Sequence, residues 1–268
     1  MWIDTHCHLD ASEFGGNSLG VADNAAQNEV SAIVIPAVSP ANFFTVAELA
    51  RQRSSCFYAL GIHPICVPAA VEADLDTMRT AITAALENPQ AHPRFIGIGE
   101  IGLDFFLPEL TTVPMREKQE HFYTEQLKMA RDFDLPVLLH VRRSQDIILK
   151  YLRRIKVAGG IAHAFNGSDQ QAQTFIDLGF KLGFGGAMTF SRALQIRRLA
   201  TQLPLEALVL ETDSPDISPS WLHPATNTPA EIPRIGAILA ELRGLTVEQV
   251  ARQTTANAHR ILPRLLSA

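Results

Sequence analysis

Residues 95–104 read FIGIGEIGLD, a run in which apolar side chains and glycines predominate. A loop follows, and then comes MREKQEHFYTEQLKMARDF (115–133), a stretch of helical length with mixed polar and apolar residues. A mostly apolar strand followed by an amphipathic helix is the repeating unit of parallel α/β proteins, whose sheets are covered on both faces. This stretch therefore predicts one β/α unit.

Similar units lie on both sides of this one. The other apolar runs are WIDTHCH (2–8), AIVIPAV (32–38), FYALGIHP (57–64), PVLLHVRR (136–143), GIAHAF (160–165), FKLGFGG (180–186) and ALVLETDSP (207–215). Eight such units in 268 residues predict an α/β fold of the closed (β/α)8 type, a TIM barrel, formed by residues 1–268 as a single domain. A doubly wound open sheet is the alternative.

Composition narrows the class of protein. The chain is 47% hydrophobic and 19% charged, which is ordinary for a globular protein. Its net charge of −5 argues against a protein that coats DNA through a broad basic face, but not against a nuclease that grips a few phosphates through metal ions. Three cysteines without a CxxC pair favour a reducing compartment. Because neither a signal-peptide pattern nor a bilayer-length apolar run is visible, we expect a cytoplasmic protein with no membrane partner.

Residue types that bind metals recur at the predicted strand ends, where barrel enzymes carry their catalytic groups. They are His6, His8, His63, Glu100, His140, His163, Glu211 and Asp213. One histidine at a strand end is commonly a structural residue, but this number at one end of a barrel predicts a site for divalent cations. The set exceeds the three protein ligands of a mononuclear catalytic zinc site and suits two ions.

His6 and His8 are two residues apart in the first predicted strand. Side chains alternate between the faces of a strand, so both imidazoles should point the same way. Cys7 should face away from them, as a packed thiol and not as a ligand.

The chain resembles the TatD family of metal-dependent hydrolases, in the amidohydrolase superfamily. The resemblance spans nearly the whole chain and rests on DTHCHLD (4–10), GIHP (61–64), GEIGLD (99–104), PVLLHVR (136–142), HAFNG (163–167), LGFGG (182–186) and ETDSP (211–215). The DxHxH pattern alone is weak, because the whole superfamily shares it. GEIGLD together with ETDSP is specific.

The resemblance implies two divalent metal ions per chain, which could be zinc, magnesium, manganese or iron. The first ion would be held by His6, His8, Glu100 and Asp213, and the second by Glu100, His140 and His163, with Glu100 as the bridge. His63 would lie beside the ions and contact a substrate phosphate. Glu211, on the same side as Asp213 if the strand continues, is expected to support a ligand. Asp4 and Asp104 would support ligands, fix loops or bind metal directly.

Two segments depart from the family pattern. An Arg-Asn-Glu-Pro-like segment usually follows the last strand, and this chain reads TNTP (226–229) there. Asn227 is retained as a candidate substrate-binding residue, whereas Thr226 and Thr228 replace the charged positions and remove a guanidinium that could bind phosphate. Ala164 stands where the family usually has a cysteine.

These observations predict a metal-dependent hydrolase, most simply a two-metal phosphodiesterase or deoxyribonuclease, with DNA or a small phosphoester as its substrate. Asp213 would take a proton from the nucleophile, His63 would stabilise or protonate, and Glu100 would complete the catalytic set. Hydrolysis of a phosphomonoester, an ester or an amide is the alternative. We expect a monomer without an obligate protein partner.

Three aromatic residues and one arginine are further candidates for substrate contact. Arg142 would bind a second phosphate or form a surface salt bridge. Phe105, Phe106 and Trp221, in the two longest loops, would stack on bases or pack beneath those loops.

Overall fold

The computed structural model describes residues 1–266 and contains one sheet of eight parallel strands, ordered β1 to β8 along the chain. The strands are Trp2–Asp4 (β1), Val30–Pro36 (β2), Cys56–Leu60 (β3), Phe95–Asp104 (β4), Val137–Arg142 (β5), Gly160–Ala162 (β6), Phe180–Phe184 (β7) and Leu208–Leu210 (β8). The helices are Ser18–Gln27 (α1), Phe43–Gln52 (α2), Glu72–Glu87 (α3), Val113–Asp132 (α4), Gln145–Arg154 (α5), Asp169–Asp177 (α6), Leu194–Gln202 (α7), Ile232–Arg243 (α8) and Val247–Ile261 (α9). At least one helix follows every strand.

The chain closes the barrel just beyond the last residues of β1 and β8, at a junction that we call the seam. The backbone N–H of Thr5 donates to the carbonyl of Leu210 at 3.0 Å. Cys7 and Ser214 then form an isolated parallel bridge. An open doubly wound sheet would leave its two edge strands unpaired with each other, so the seam excludes that alternative. The predicted TIM barrel is confirmed.

Strands β1, β6 and β8 are much shorter than predicted and contain three residues each. Ala164 and Asp213 adopt positive φ angles of 44° and 55°, which are not compatible with a continuing strand. The ligand-type residues that we predicted on these strands therefore lie in the irregular segments that follow them.

One end of the barrel is sealed by apolar side chains. Seven of the eight strands contribute to a single buried cluster, which includes Ile3, Val34 and Leu138 and extends to Ile261 after β8. Strands from all around a barrel can meet in this way only near its axis. The cluster also includes Leu265, and its neighbour Arg264 donates to the carbonyl of Phe95, the first residue of β4. The cluster therefore closes the barrel at the N-terminal ends of the strands. The predicted functional residues lie at the C-terminal ends.

The helices cover the outside of the barrel. A larger buried cluster joins their inner faces to the sheet. Among residues 1–266, no helix combines the length and the apolar character needed to cross a bilayer.

Candidate metal centre

The seam brings the first group of metal-ligand types together. Asp213 donates its backbone N–H to the carbonyl of His6, and His8 donates its own to the carbonyl of Ser214, both at 2.8 Å. As a result, the Asp213 Oδ1 atom lies 3.7 Å from Nε2 of His6 and 3.5 Å from Nε2 of His8. The prediction that these residues belong to strands was wrong, but the two imidazoles do face the same side.

Asp4 stabilises the seam from behind. Its buried carboxylate accepts hydrogen bonds from the backbone N–H groups of His6 and Thr212 and from the Thr212 hydroxyl. Burial raises the pKa of Asp4 to about 7, and these three hydrogen bonds partly oppose the shift. Asp4 therefore supports the ligand segments and does not line the cavity.

Glu100 lies at the centre of the site, with 1% of its surface exposed. Its Oε2 atom is 3.1 Å from Nε2 of His6 and 3.4 Å from Nε2 of His8. Its Oε1 atom is 2.9 Å from both Nδ1 of His140 and Nε2 of His163. The two carboxylate oxygens therefore face two different groups of histidines, which is the arrangement expected of a bridging ligand.

The position of Glu100 within β4 differs from the prediction, because Glu100 does not end the strand and β4 continues to Asp104. The pairing register with β5 shifts between Ile98 and Ile101, which is the signature of a bulge. Gly99 and Gly102 flank Glu100 with φ angles of 147° and 149°, and a Cβ atom at either glycine would collide with β5. Glycine is therefore required where β4 turns the carboxylate inward.

Two carboxyl groups outside the cluster contact the ring nitrogens of His140 and His163 that face away from Glu100. Asp104 Oδ2 lies 3.1 Å from Nε2 of His140, while Asp104 Oδ1 accepts from the backbone N–H groups of Phe106 and Leu107. Burial raises the pKa of Asp104, but the hydrogen bonds with His140 and Phe106 outweigh it and lower that pKa to about 2. An ionised partner of this kind fixes the imidazole orientation and increases its basicity.

Glu211 lies next to His163 on the side that faces away from Glu100, as Asp104 does for His140. Its Oε1 atom accepts from the backbone N–H of Ala164 and lies 3.8 Å from Nδ1 of His163. Burial raises the pKa of Glu211 to about 8. Like Asp104, Glu211 contacts a histidine from outside the cluster, in the supporting position that we predicted.

We expect Asp104→Ala to weaken metal binding by roughly tenfold, because loss of an outer hydrogen-bond partner typically costs 10- to 100-fold in metal affinity. Asp104→Asn, which can still accept from His140, should lose less. Metal affinity is measured by competition with a chelator. Asp76→Ala, on the exposed face of α3, is the control. Equal affinities in the Asp104→Ala and Asp76→Ala proteins would contradict the role given to Asp104.

His63 contacts the same cluster but differs in its hydrogen bonds. Its Nε2 atom lies 3.3 Å from Oε1 of Glu100, close enough for a geometric group of ligands with Glu100 and His140. Its Nδ1 atom, however, accepts from the backbone N–H of Ile65 at 3.0 Å. Burial lowers the pKa of His63, which favours the neutral ring. A neutral ring with Nδ1 as acceptor carries its proton on Nε2, so Nε2 is a donor and not a metal ligand.

The donor set fits divalent cations. The Nε2 atoms of His6, His8 and His163 and the Nδ1 atom of His140 all converge on the Glu100 carboxylate. Burial would raise the pKa of Glu100, but His63 and other nearby histidines hold it well below its usual range, so the buried carboxylate is ionised and requires positive charge beside it. Imidazoles and carboxylates together suit zinc, manganese, iron or cobalt. Three overlapping groups of these side chains are compact enough to hold an ion.

A cavity of about 870 Å³ opens above this cluster, and its lining includes His8, His63, Glu100, His140, His163, Asp213, Phe106, Arg142 and Arg143. The Arg142 guanidinium carbon lies 3.9 Å from the centroid of the Phe106 ring, and that of Arg143 lies 4.6 Å from it. Arg142 also approaches Asp104 at 3.7 Å, so it both lines the cavity and forms a salt bridge. Arg143 follows Arg142 directly in the sequence. The adjacent arginines in HVRR (140–143) were a signal from which Arg143 could have been predicted as a second residue of the cavity.

Asn227 does not line this cavity. Its buried side-chain amide donates to the carbonyl oxygens of Thr212 and Asp216, and its Oδ1 accepts from the backbone N–H of Thr228. The structure gives Asn227 a bracing role in the loop after β8, in place of the predicted substrate contact.

Of the three aromatic residues predicted to contact substrate, two do not face the cavity and one does. Trp221 lies outside the cavity lining and donates to Glu231. Phe105 is buried with Arg116 over its ring, so Phe106 is the one of the three predicted aromatic residues that faces the cavity.

Comparisons with known proteins agree with this geometry. The family described as TatD related DNase matches residues 3–263. The metal-dependent hydrolase YjjV of Escherichia coli (strain K12) is 38% identical over 259 residues, covering 96% of each chain. The crystal structure of YjjV, a TatD homolog, superimposes with a TM-score of 0.90 at 36% identity over 98% of each chain. The mouse protein TATDN3, named as a candidate deoxyribonuclease, is 29% identical over 266 residues, covering 99% of this chain and 89% of its own. The chain therefore belongs to the TatD family and is a metal-dependent hydrolase.

Proposed function

We propose that this protein is a two-metal phosphodiesterase that acts on DNA. The observation that carries the proposal is Glu100, whose two oxygens face two separate histidine groups at the floor of a cavity rimmed by two arginines. A bridging carboxylate is typical of two-metal sites, and two-metal sites are common in nucleases and phosphatases.

The residues that would hold the ions are those inferred from the sequence. As the resemblance implies, His6, His8, Glu100 and Asp213 would hold one ion, and Glu100, His140 and His163 the other. When bound, divalent cations lower the pKa of a coordinated water and offset the charge that builds on phosphate oxygens.

The chain's own groups would handle protons and bind the phosphate. Asp213, with 15% of its side chain exposed, has access to the cavity. Burial raises the pKa of Asp213, but the hydrogen bond with His8 and the charges of other histidines lower it, so its carboxylate is ionised and can accept a proton. His63 presents its Nε2 proton to the cavity floor, where it would donate to a phosphate oxygen or to the leaving oxygen.

Two further observations support DNA as the substrate. The guanidinium groups of Arg142 and Arg143 suit phosphate oxygens, and the Phe106 ring beneath them suits base stacking. The matching family is described as TatD related DNase, and the mouse relative is named as a candidate deoxyribonuclease.

A substrate panel tests the bond that is cleaved. The metal-loaded protein is assayed with bis(p-nitrophenyl) phosphate, p-nitrophenyl phosphate, p-nitrophenyl acetate, a chromogenic anilide and single-stranded DNA. We expect turnover of the phosphodiester and of DNA to exceed the others. Rapid hydrolysis of the ester or the anilide, with no cleavage of DNA, would move the assignment to the alternative predicted from the sequence.

Binding of DNA should depend only weakly on salt, because few arginines face the cavity. Each neutralised phosphate contributes about −0.7 to the slope of log affinity against log salt for a single strand, so two to four contacts predict a slope of roughly −1 to −3. For the double variant Arg142→Ala/Arg143→Ala, the slope of log affinity against log salt should be shallower by about 1.4. Affinity for a phosphorothioate oligothymidylate, which keeps its charges and resists hydrolysis, is measured across a salt series. Arg153→Ala, at the exposed end of α5, is the control. A double variant with the slope of the control would remove Arg142 and Arg143 from the binding site.

A further inference from the structure

A second cavity of about 720 Å³ adjoins the first on the side of β7 and β8. The two cavities share several wall residues, among them Glu13, Ile196 and Asp216. The second cavity is therefore a continuation of the depression that contains the metal centre.

Three side chains in this second cavity form what we call the Phe190 cluster: Phe190, Arg192 and His223. The Phe190 and His223 rings meet edge to face at 5.8 Å between centroids. The Arg192 guanidinium carbon lies 5.8 Å from the Phe190 centroid. Among residues 1–266, no carboxylate forms an ion pair with Arg192, so its charge is available to a ligand.

The same combination lies on the opposite side of the metal centre. There, Arg142 and Arg143 stack on Phe106. The metal centre is thus flanked by two clusters, each with at least one arginine and an exposed or half-buried aromatic ring. Nonspecific recognition of single-stranded nucleic acid uses this pairing, because arginine follows the phosphates and aromatic rings stack on the bases.

The charges along the depression alternate in sign. Glu13 and Asp216 lie in the shared wall, between the metal centre and the Phe190 cluster. Their carboxylates would repel a phosphate at that point but tolerate a sugar, which is uncharged. Along one DNA strand, a phosphate would therefore lie at the metal centre, the sugar beside Glu13 and Asp216, and the next phosphate at Arg192.

We propose that Phe190, Arg192 and His223 form a subsite that binds the nucleotide next to the one whose phosphate lies at the metal centre. The protein would then hold a single DNA strand on both sides of the bond that is cleaved. Base stacking on Phe190 needs an unpaired base, so the occupant is a single strand and not a duplex. This inference rests on the proposed function.

The test compares Arg192→Ala and Phe190→Leu with Arg198→Ala, a control on α7 whose side chain pairs with Asp169 at 2.8 Å outside the cavity. The probe is the phosphorothioate oligothymidylate of eight residues, with metal-loaded protein. Phe190→Leu should weaken binding by about tenfold because it removes the surface on which a base stacks. Arg192→Ala should weaken it by a similar factor because it removes a phosphate contact. The Arg192→Ala slope against log salt should be shallower by about 0.7. The ratio of kcat/KM for DNA to that for bis(p-nitrophenyl) phosphate should fall for both.

A rescue variant separates lost charge from lost structure. Thr226 lines the same cavity, so Arg192→Ala/Thr226→Arg should recover binding and the salt slope. If wild type binds the phosphorothioate probe and cleaves the unmodified oligonucleotide, but both test variants behave like Arg198→Ala, the subsite is overturned and the proposed function stands. If wild type neither binds the probe nor cleaves the unmodified oligonucleotide, the proposed function itself fails. Equal affinity for a duplex of the same length would overturn the assignment of a single strand.

Discussion

Glu100→Ala is expected to lose both metal ions and, with them, hydrolysis. The residue faces two histidine groups, through Oε2 toward His6 and through Oε1 toward His140, so its loss affects both. Removal of an outer hydrogen-bond partner alone costs 10- to 100-fold in metal affinity, and a shared inner ligand should cost well over 100-fold. Bound metal is counted by mass spectrometry after gel filtration, and turnover is measured with bis(p-nitrophenyl) phosphate.

Two controls belong with this variant. Glu109→Ala, exposed in the loop after β4, should keep both metal and rate. His140→Ala should lose mainly one ion, because the other histidine group remains intact. A Glu100→Ala protein that keeps two ions and its rate would place the bridge elsewhere.

His63→Ala is expected to retain its metal and to lose about 10²- to 10⁴-fold in kcat, the usual range for loss of a general acid or base. The reason is its tautomer: Nδ1 is occupied by the N–H of Ile65, so Nε2 donates a proton and does not bind a cation. His63→Gln, which restores an N–H donor, should recover part of the rate.

The measurement pairs metal content with kcat for the same preparations. His121→Ala, on the exposed side of α4 and in contact with Glu72, should change neither. A loss of bound metal comparable to that in His140→Ala would make His63 a ligand and would contradict the scheme.

The barrel could be predicted from the sequence because its signal is local and repeated. The apolar run 95–104 has the observed ends of β4, although Glu100 was expected at the end of that strand and lies within it. Helix α4, Val113–Asp132, overlaps nearly all of the predicted helical stretch 115–133. Apolar runs and amphipathic stretches report burial directly, and burial is what the fold requires. The clustering of ligand types followed from one further rule, that barrel strands present their C-terminal ends on one side.

The details that could not be predicted depend on contacts between distant segments. Glu100 lies within β4 because Gly99 and Gly102 allow a bulge against β5, which the strand pattern alone does not reveal. Asp213 turns inward with a φ of 55°, a conformation that an apolar run does not suggest. Asn227 was predicted to bind substrate because it is retained from the family's Arg-Asn-Glu-Pro-like segment, and its sequence neighbours do not show which carbonyl groups its amide reaches.

The seam also determines when the metal site becomes complete during biosynthesis. Thr5 and Leu210, which close it, are 205 residues apart, so a chain still emerging from the ribosome holds His6, His8 and Glu100 long before it holds Asp213. Closing so long a loop is entropically costly, and a cation that binds only the closed form offsets that cost. At 100 times its dissociation constant, the cation would stabilise the closed barrel by about 2.7 kcal/mol. Scarcity of metal should therefore reduce the amount of correctly folded enzyme in the cell as well as its activity.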